Sequence, residues 1–331
     1  MEHRKLGSSD LHVSVLAFGA WQLGDPDYWG AHQAADGEAA VRAAIDAGID
    51  LFDTAEGYGA GESERALGRA LGSKRDKVLI ASKVSASHCA PHRLRNACEN
   101  SLRNLATDRI DLYQIHWPFR DVPFQDAYAE MARLKEEGKI REIGLSNFGP
   151  KDIDAWMAAG TCASNQLGYN LAFRAIENEI VPACTDHRLG ILAYMPLLQG
   201  ILAYRWQSPD ELPPSRRRTR HFSCERPGVR HGQPGCEQLL FNTLERVNEV
   251  ARRLAQPMAN LALAWLMAQP AVTSVIIGAR NPAQLRRNTG AAQLHLDAET
   301  LRELDAISQP LKAHFGTNAD MWQTADAARI R

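Results

Sequence analysis

Asp53, Tyr58, Lys83 and His116 are residues whose types and spacing carry chemistry in this chain. They stand in Leu51-Phe52-Asp53-Thr54-Ala55-Glu56-Gly57-Tyr58-Gly59, in Ser82-Lys83-Val84 and in Gln114-Ile115-His116-Trp117-Pro118. Together they make a proton-delivery set. A free tyrosine titrates at about pH 10 and is a poor acid at neutrality. An adjacent ammonium stabilises the phenolate, and a carboxylate behind the lysine keeps it charged and aimed. A tenfold change in acidity is worth ~1.4 kcal/mol, so even a modest lowering of the Tyr58 pKa would assist proton donation. His116 would orient a carbonyl oxygen beside Tyr58. A lone Asp after a strand is usually a cap and a lone His is often simply packed; the weight lies in four such residues in matching contexts.

Something must bring these distant residues together. Short β-branched or aromatic runs recur at Val15 to Phe18, Ile49 to Asp53, Val78 to Ser82, Leu112 to His116, Glu142 to Leu145, Ala163 to Gln166, Ile191 to Tyr194 and Ser274 to Ile277. Helical periodicity lies between them, at Glu38 to Ala47, Pro91 to Leu105 and Asp126 to Glu137. Gly48, Gly72, Gly138 and Gly190 read as helix-closing glycines. Polar residues end successive strands at Asp53, Lys83, His116, Ser146, Gln166 and Tyr194, with gaps of 30, 33, 30, 20 and 28 residues. Each gap is about one βα unit. Eight strands alternating with helices predict an α/β fold of the closed (β/α)8 TIM-barrel type, in which all strand ends share one rim.

Residues 1–331 read as one barrel domain. Arg4 to Val15, with a Ser8-Ser9-Asp10 turn, is predicted to be a β-hairpin plugging the end away from the site. The Pro- and Gly-rich segment 205–238 reads as a long loop after the seventh strand, functional or mobile at that length. Residues 308–331 have weak periodicity and read as a tail that folds back.

Composition narrows the function. The 331 residues are 45% hydrophobic and 23% charged, with 38 basic against 39 acidic side chains and a net charge of −1. No global field favours nucleic acid or an anionic membrane. No apolar run approaches the ~20 residues of a membrane span. Met1 to Leu6 lacks the apolar core of a signal peptide, and six cysteines in so long a chain are no disulfide framework, so the expectation is a reduced, cytoplasmic protein.

With these motifs in this order, the sequence resembles the aldo-keto reductases from about Arg4 to Ile307. The resemblance implies a barrel enzyme that reduces carbonyls with NADPH through the tetrad Asp53, Tyr58, Lys83 and His116. It implies that Ser146, Asn147 and Gln166 hold the nicotinamide carboxamide, and that Tyr194 stacks on the nicotinamide ring. In Ile277-Gly278-Ala279-Arg280-Asn281-Pro282-Ala283-Gln284-Leu285-Arg286-Arg287-Asn288 it assigns Arg280 to the adenosine 2′-phosphate and Gln284 and Asn288 to adenine, favouring NADPH over NADH. Gly19, Ala20, Trp21, Asp53 and Gly278 complete the expected cofactor set. Gly57-Tyr58-Gly59-Ala60-Gly61-Glu62 is not a Rossmann fingerprint, because Glu62 stands at the last required glycine.

Two positions depart from the family pattern: Met195, where serine is common, and Gly168, where a larger residue or proline is common. They leave the pyrophosphate to the backbone of Leu197, Gln199 and Gly200. Arg216-Arg217-Arg218-Thr219-Arg220 reads either as a flap over the pyrophosphate or as a solvated charge run. Trp21, Trp29 and Trp117, with Tyr58 and His116, would wall the substrate pocket. The groupings His88, Cys89, His92 and His221, Cys224, His231, Cys236 lack the paired short spacings of structural zinc, so no metal is assigned.

The expected activity is NADPH-dependent reduction of aldehydes or ketones, reversible as alcohol oxidation. The expected partner is a small-molecule carbonyl compound, with no nucleic acid and no membrane. Two rivals stand beside it. One is a catalytically weak nicotinamide-binding regulatory subunit resembling potassium-channel beta subunits. The other is a metal-dependent barrel hydrolase using Asp53 and His116.

Overall fold

The computed structural model describes residues 1–30 and 33–331. A short antiparallel hairpin, β1 (His3–Lys5) and β2 (His12–Ser14), precedes eight barrel strands. These are β3 (Leu16–Gly19), β4 (Leu51–Asp53), β5 (Leu79–Val84), β6 (Ile110–Ile115), β7 (Ile140–Ser146), β8 (Ser164–Gly168), β9 (Gly190–Tyr194) and β10 (Val272–Gly278). They pair in parallel in sequence order, and β10 closes the barrel against β3. The predicted (β/α)8 architecture is the observed one.

Strand alternation explains how the barrel is built. Side chains two apart share a face. Ala17, Leu51, Ala81, Leu112, Leu192 and Ile276 point inward and form one apolar layer with Leu6, Leu11 and Val13 of the hairpin segment. The hairpin therefore seals that end of the barrel with its own side chains. Two residues further along the same faces stand Gly19, Asp53, Lys83, Gln114, Tyr194 and Gly278, at the opposite rim. The odd-phase residues, such as Phe18, Phe52, Tyr113 and Ile277, pack outward into the larger core beneath the helices.

Gly190 corrects one expectation. It does not close a helix: the preceding helix ends at Asp186, the left-handed position is Arg188, and Gly190 opens β9. A Cβ at 190 would lie 2.7 Å from Thr273 Oγ1 and 2.9 Å from the Gly7 nitrogen. Its glycine is there because the hairpin packs against the strand at that point.

The C-terminal boundary also moves. A helix runs from Ala298 to Phe315, through Ser308 and with Pro310 inside it, so the tail begins at Gly316 rather than at 308. Leu311 and Phe315 are buried, and this burial carries the helix past its proline. Segment 205–238 does follow β9 as predicted, and it contains short 3-10 turns at Pro209–Glu211 and Pro214–Arg216. Among the described residues no helix is long and apolar enough to cross a membrane.

Candidate active site

A buried polar layer sits just inside the open rim. Lys83 is fully buried at the end of β5. Its Nζ donates to Asp53 Oδ1 at 2.6 Å, to the Thr54 carbonyl at 2.7 Å and to Tyr58 Oη at 3.4 Å. All three ammonium hydrogens are thus used, which a buried charge requires. Asp53 Oδ2 accepts from Gln166 Nε2 at 2.7 Å and Gln114 Nε2 at 3.4 Å. Gln114 was missed from sequence because the β6 end was read at His116. Its signal is the period of two: Leu112 faces the apolar layer, so Gln114 faces the polar one. Gly144 makes room for it, since a Cβ there would lie 2.8 Å from Gln114 Cγ.

Tyr58 is held by a turn that leans on a neighbour. Gly59 has φ of +57°, and a Cβ at that position would lie 1.8 Å from the Gly24 carbonyl oxygen. The Tyr58 ring stacks on Trp21 with centroids 5.3 Å apart and meets His116 edge-on at 5.5 Å. Gly59 thus serves a close approach of backbone to backbone.

The electrostatics reverse one expectation. Burial, and next the charge of Asp53, push the Tyr58 pKa well above its ordinary value. The lysine does not lower it, because Asp53 offsets the ammonium charge at 2.6 Å while desolvation acts unopposed on the phenolate. The resting phenol is therefore protonated. Burial pulls the Lys83 pKa down, against the opposing pull of Asp53. His116 falls to about 3, through burial first and then the charges of Lys83 and Arg329, so its imidazole is neutral at pH 7.

A cavity of about 990 Å³ opens above this layer. Of the residues expected at the site, Gly19, Trp21, Trp29, Asp53, Tyr58, His116, Trp117, Ser146, Asn147, Gln166 and Tyr194 line it. So do Leu197, Gln199, Gly200, Gly278, Arg280, Gln284 and Asn288. Two do not. Lys83 lies behind Asp53 and Tyr58, and Ala20 is fully buried, its N–H on the Asp53 carbonyl and its carbonyl on Ser63 Oγ.

The β7, β8 and β9 ends form one hydrogen-bonded rim. Ser146 Oγ donates to the Gln166 carbonyl at 3.0 Å, and Asn147 Nδ2 donates to the His116 carbonyl at 3.1 Å. Asn147 Oδ1 accepts from Tyr194 Oη at 2.8 Å. Beyond β9 the backbone is strained: Met195, Leu198 and Gln199 all have positive φ, of 53°, 45° and 57°. Such strain persists where surrounding structure enforces it, commonly at functional sites.

At the far end Asn281 caps the helix Pro282–Thr289 by accepting from Gln284 N, and Gln284 Oε1 accepts from Arg280 N at 2.9 Å. Arg280 Nη1 donates to the Trp29 carbonyl at 2.7 Å. The arginine run is not a solvated charge patch. The Arg216 guanidinium lies 4.1 Å from the Trp29 ring centroid and Arg218 lies 5.5 Å from that of Tyr28. Arg220 is buried and donates to the Asn318 carbonyl.

Sequence reasoning expected the tail to fold back but assigned none of its residues to the site. Trp322 and Arg329 line the cavity, and Trp322 lies nearly parallel to Tyr194, at 12°. Gly168 has its reason here: a Cβ would come within 3.1 Å of Met321 Cε and 3.3 Å of the Tyr194 phenol. The departure from the family pattern makes space for the tail.

Among the described residues no three His, Cys, Asp or Glu side chains converge as for a metal. His88 pairs instead with Glu56, and His221 bonds Thr219 and the Ala172 carbonyl.

The profile of the Aldo/keto reductase family matches residues 15–309. The chain is 31% identical to aldo-keto reductase YhdN of Bacillus subtilis over 93% of each chain. It is 32% identical to methylglyoxal reductase YeaE of Escherichia coli over 90% of this chain and 92% of that one. A solved aldo-keto reductase from Klebsiella pneumoniae in complex with NADPH superposes with a TM-score of 0.74 at 31% identity, covering 93% of this chain and 96% of that one. The barrel, its rim of strand-end side chains and the match across nearly the whole length make this chain a member of the aldo/keto reductase family.

Proposed function

We propose that this protein is an NADP(H)-dependent reductase of aldehydes or ketones, reversible as an alcohol dehydrogenase, with Tyr58 as general acid. The observation that carries the reading is the Lys83 ammonium bridging Asp53 and Tyr58, beside His116 and below an open cavity.

The cavity suits a dinucleotide phosphate. Among the described residues seven arginines line it (205, 216, 218, 230, 280, 287 and 329) against a single carboxylate, Asp53. Arg216 Nη1 and Arg218 Nε are buried without a hydrogen-bond partner among those residues, donors in need of an anion. Gly278 lines the cavity with the Gln22 carboxamide packed against it, where a Cβ would lie 2.4 Å from Nε2. Arg280 and Arg287 would hold the 2′-phosphate end, Gln284 and Asn288 the adenine. The backbone of Leu197, Gln199 and Gly200 would meet the pyrophosphate, and Ser146, Asn147 and Gln166 the carboxamide, against the Tyr194 ring. When bound, the cofactor supplies hydride to the carbonyl carbon.

The chain's own part is the proton. Tyr58 Oη, kept protonated by its surroundings, donates to the carbonyl oxygen as charge develops there. The phenolate left behind lies beside Lys83 Nζ, which Asp53 keeps aimed. His116, neutral, donates a hydrogen bond to the same oxygen and fixes its position. Trp21, Trp29 and Trp117 exclude water from the reacting carbon.

NADPH absorbance followed with a panel of aldehydes, ketones and sugars tests the activity. Tyr58→Phe is expected to lower turnover about 10²- to 10⁴-fold, the range of general acid catalysis, with NADPH affinity unchanged. Wild-type turnover in that variant would remove Tyr58 from the role. The related methylglyoxal reductase makes short carbonyl compounds the first panel members to assay.

A further inference from the structure

The tail does more than cover the barrel. Asp320 is fully buried and accepts Arg329 Nε at 2.8 Å, Arg329 Nη2 at 2.9 Å and the Trp322 N–H at 3.0 Å. Arg220 grips the same turn through the Asn318 and Asp320 carbonyls, at 3.0 and 3.3 Å. At its end the Arg331 main chain is paired with Asp152, whose N–H donates to the Arg331 carbonyl at 3.2 Å. Gly149 allows that approach, because a Cβ there would lie 2.3 Å from the Arg331 oxygen. Position 329 is thus held from both sides.

What is held is a guanidinium over the substrate end of the cavity. Its carbon lies 3.6 Å from the Trp117 ring centroid, and Trp117 directly follows His116. Asp320 takes Nε and Nη2, while Nη1 has no hydrogen-bond partner among the described residues and is not enclosed. Among the described residues both Arg220 and Arg329 bond the Asp320 turn, the Lys83–Asp53 pair is neutral, and His116 is uncharged at pH 7, which leaves the local charge positive. Aromatic rings stand about the guanidinium: Trp117 and Trp322, with Tyr194 nearly parallel to Trp322. A neutral carbonyl compound has no use for an oriented guanidinium with a free N–H. An anion a few bonds from the carbonyl does.

We infer that Arg329 selects carbonyl substrates bearing a carboxylate a short distance from the reacting carbon, binding it through Nη1 over the Trp117 face. The inference deepens the carbonyl-reductase reading and rests on it. Asp320 and Trp117 are its positioning residues, the first fixing the fork and the second its plane.

The test compares a short aldehyde carrying a terminal carboxylate with the same aldehyde carrying a primary amide. Both are assayed with NADPH for wild type, Arg329→Gln and Arg329→Lys. Wild type is expected to favour the acid about tenfold in kcat/KM, mostly through KM, as befits a charge-assisted hydrogen bond. Arg329→Gln should bring the acid-to-amide ratio near one, and Arg329→Lys should restore part of it. A purely structural clamp would lower both rates alike and keep the ratio, which would overturn the inference, as would a ratio near one in wild type.

Binding of butanoate and butanamide to wild type, read by tryptophan quenching, decides the matter independently of turnover or of how the variants fold. Tighter butanoate binding supports the inference and equal binding overturns it. Absence of turnover with both aldehydes would fell the parent reading, and that outcome is distinct from a lost preference.

Discussion

At the scale of single residues, the ionisation of the site is the main departure from what residue types alone suggest. Lys83 beside Tyr58 reads as a device for lowering a phenol pKa, yet the phenol is pushed up because burial outweighs an ammonium already offset by Asp53. A protonated tyrosine is the form that the proposed reduction would consume. In the proposed reduction the lysine would act on the product phenolate, whose oxygen lies 3.4 Å from Nζ. His116 belongs to the same logic. With its pKa lowered to about 3, it stays neutral across the physiological range, which suits the orienting role proposed for it. The pH profile of kcat/KM for reduction should therefore lack a limb at about pH 6.5, the ordinary histidine value. Rates of wild type and His116→Gln between pH 5 and 8 check this: a limb present in the first and missing in the second would contradict it.

At the scale of elements, alternation along the strands does the positioning. The same inward face that carries Leu51, Ala81 and Leu112 toward the hairpin carries Asp53, Lys83 and Gln114 toward the rim. One slip of register would exchange the polar layer for Phe52, Ser82 and Tyr113. The hairpin end can be perturbed separately from the chemistry. Gly190→Ala forces a Cβ against Thr273 and Gly7, so a loss of about 1–3 kcal/mol in stability is expected, typical of overpacking. Thermal melts should show a fall of a few degrees while the folded variant keeps its kcat. Loss of activity at full stability would mean that the plug and the site communicate.

At the scale of the whole molecule, a net charge of −1 hides a strongly uneven distribution. Among the described residues seven arginines face one cavity, of which Arg329 is paired with the buried Asp320, while charges elsewhere stand in surface pairs such as Arg95–Glu137 and Lys135–Glu142. A cleft of one sign between low-dielectric walls attracts a polyanion and does so less well in salt. The dissociation constant for NADPH should rise several-fold between roughly 0.01 and 0.2 M ionic strength, by fluorescence titration. An affinity indifferent to salt would mean that the arginines serve packing alone.

The sequence by itself determined the barrel, the rim residues and the helix cap at Asn281, because these follow from local periods: two along strands, one βα unit between strand ends, four along a helix. It also held the signal for Gln114, two residues beyond inward-facing Leu112. It could not show that residues 205–220 and 316–331 close over the same cavity, since their contacts with Tyr28, Trp29 and Trp117 span long stretches of chain and leave no periodic trace. Nor could it show that Gly168 and Gly190 exist for what packs against them. The charge states of Tyr58, Lys83 and His116 were likewise left to tertiary structure, because they depend on burial and on distances through space that no order of residues specifies.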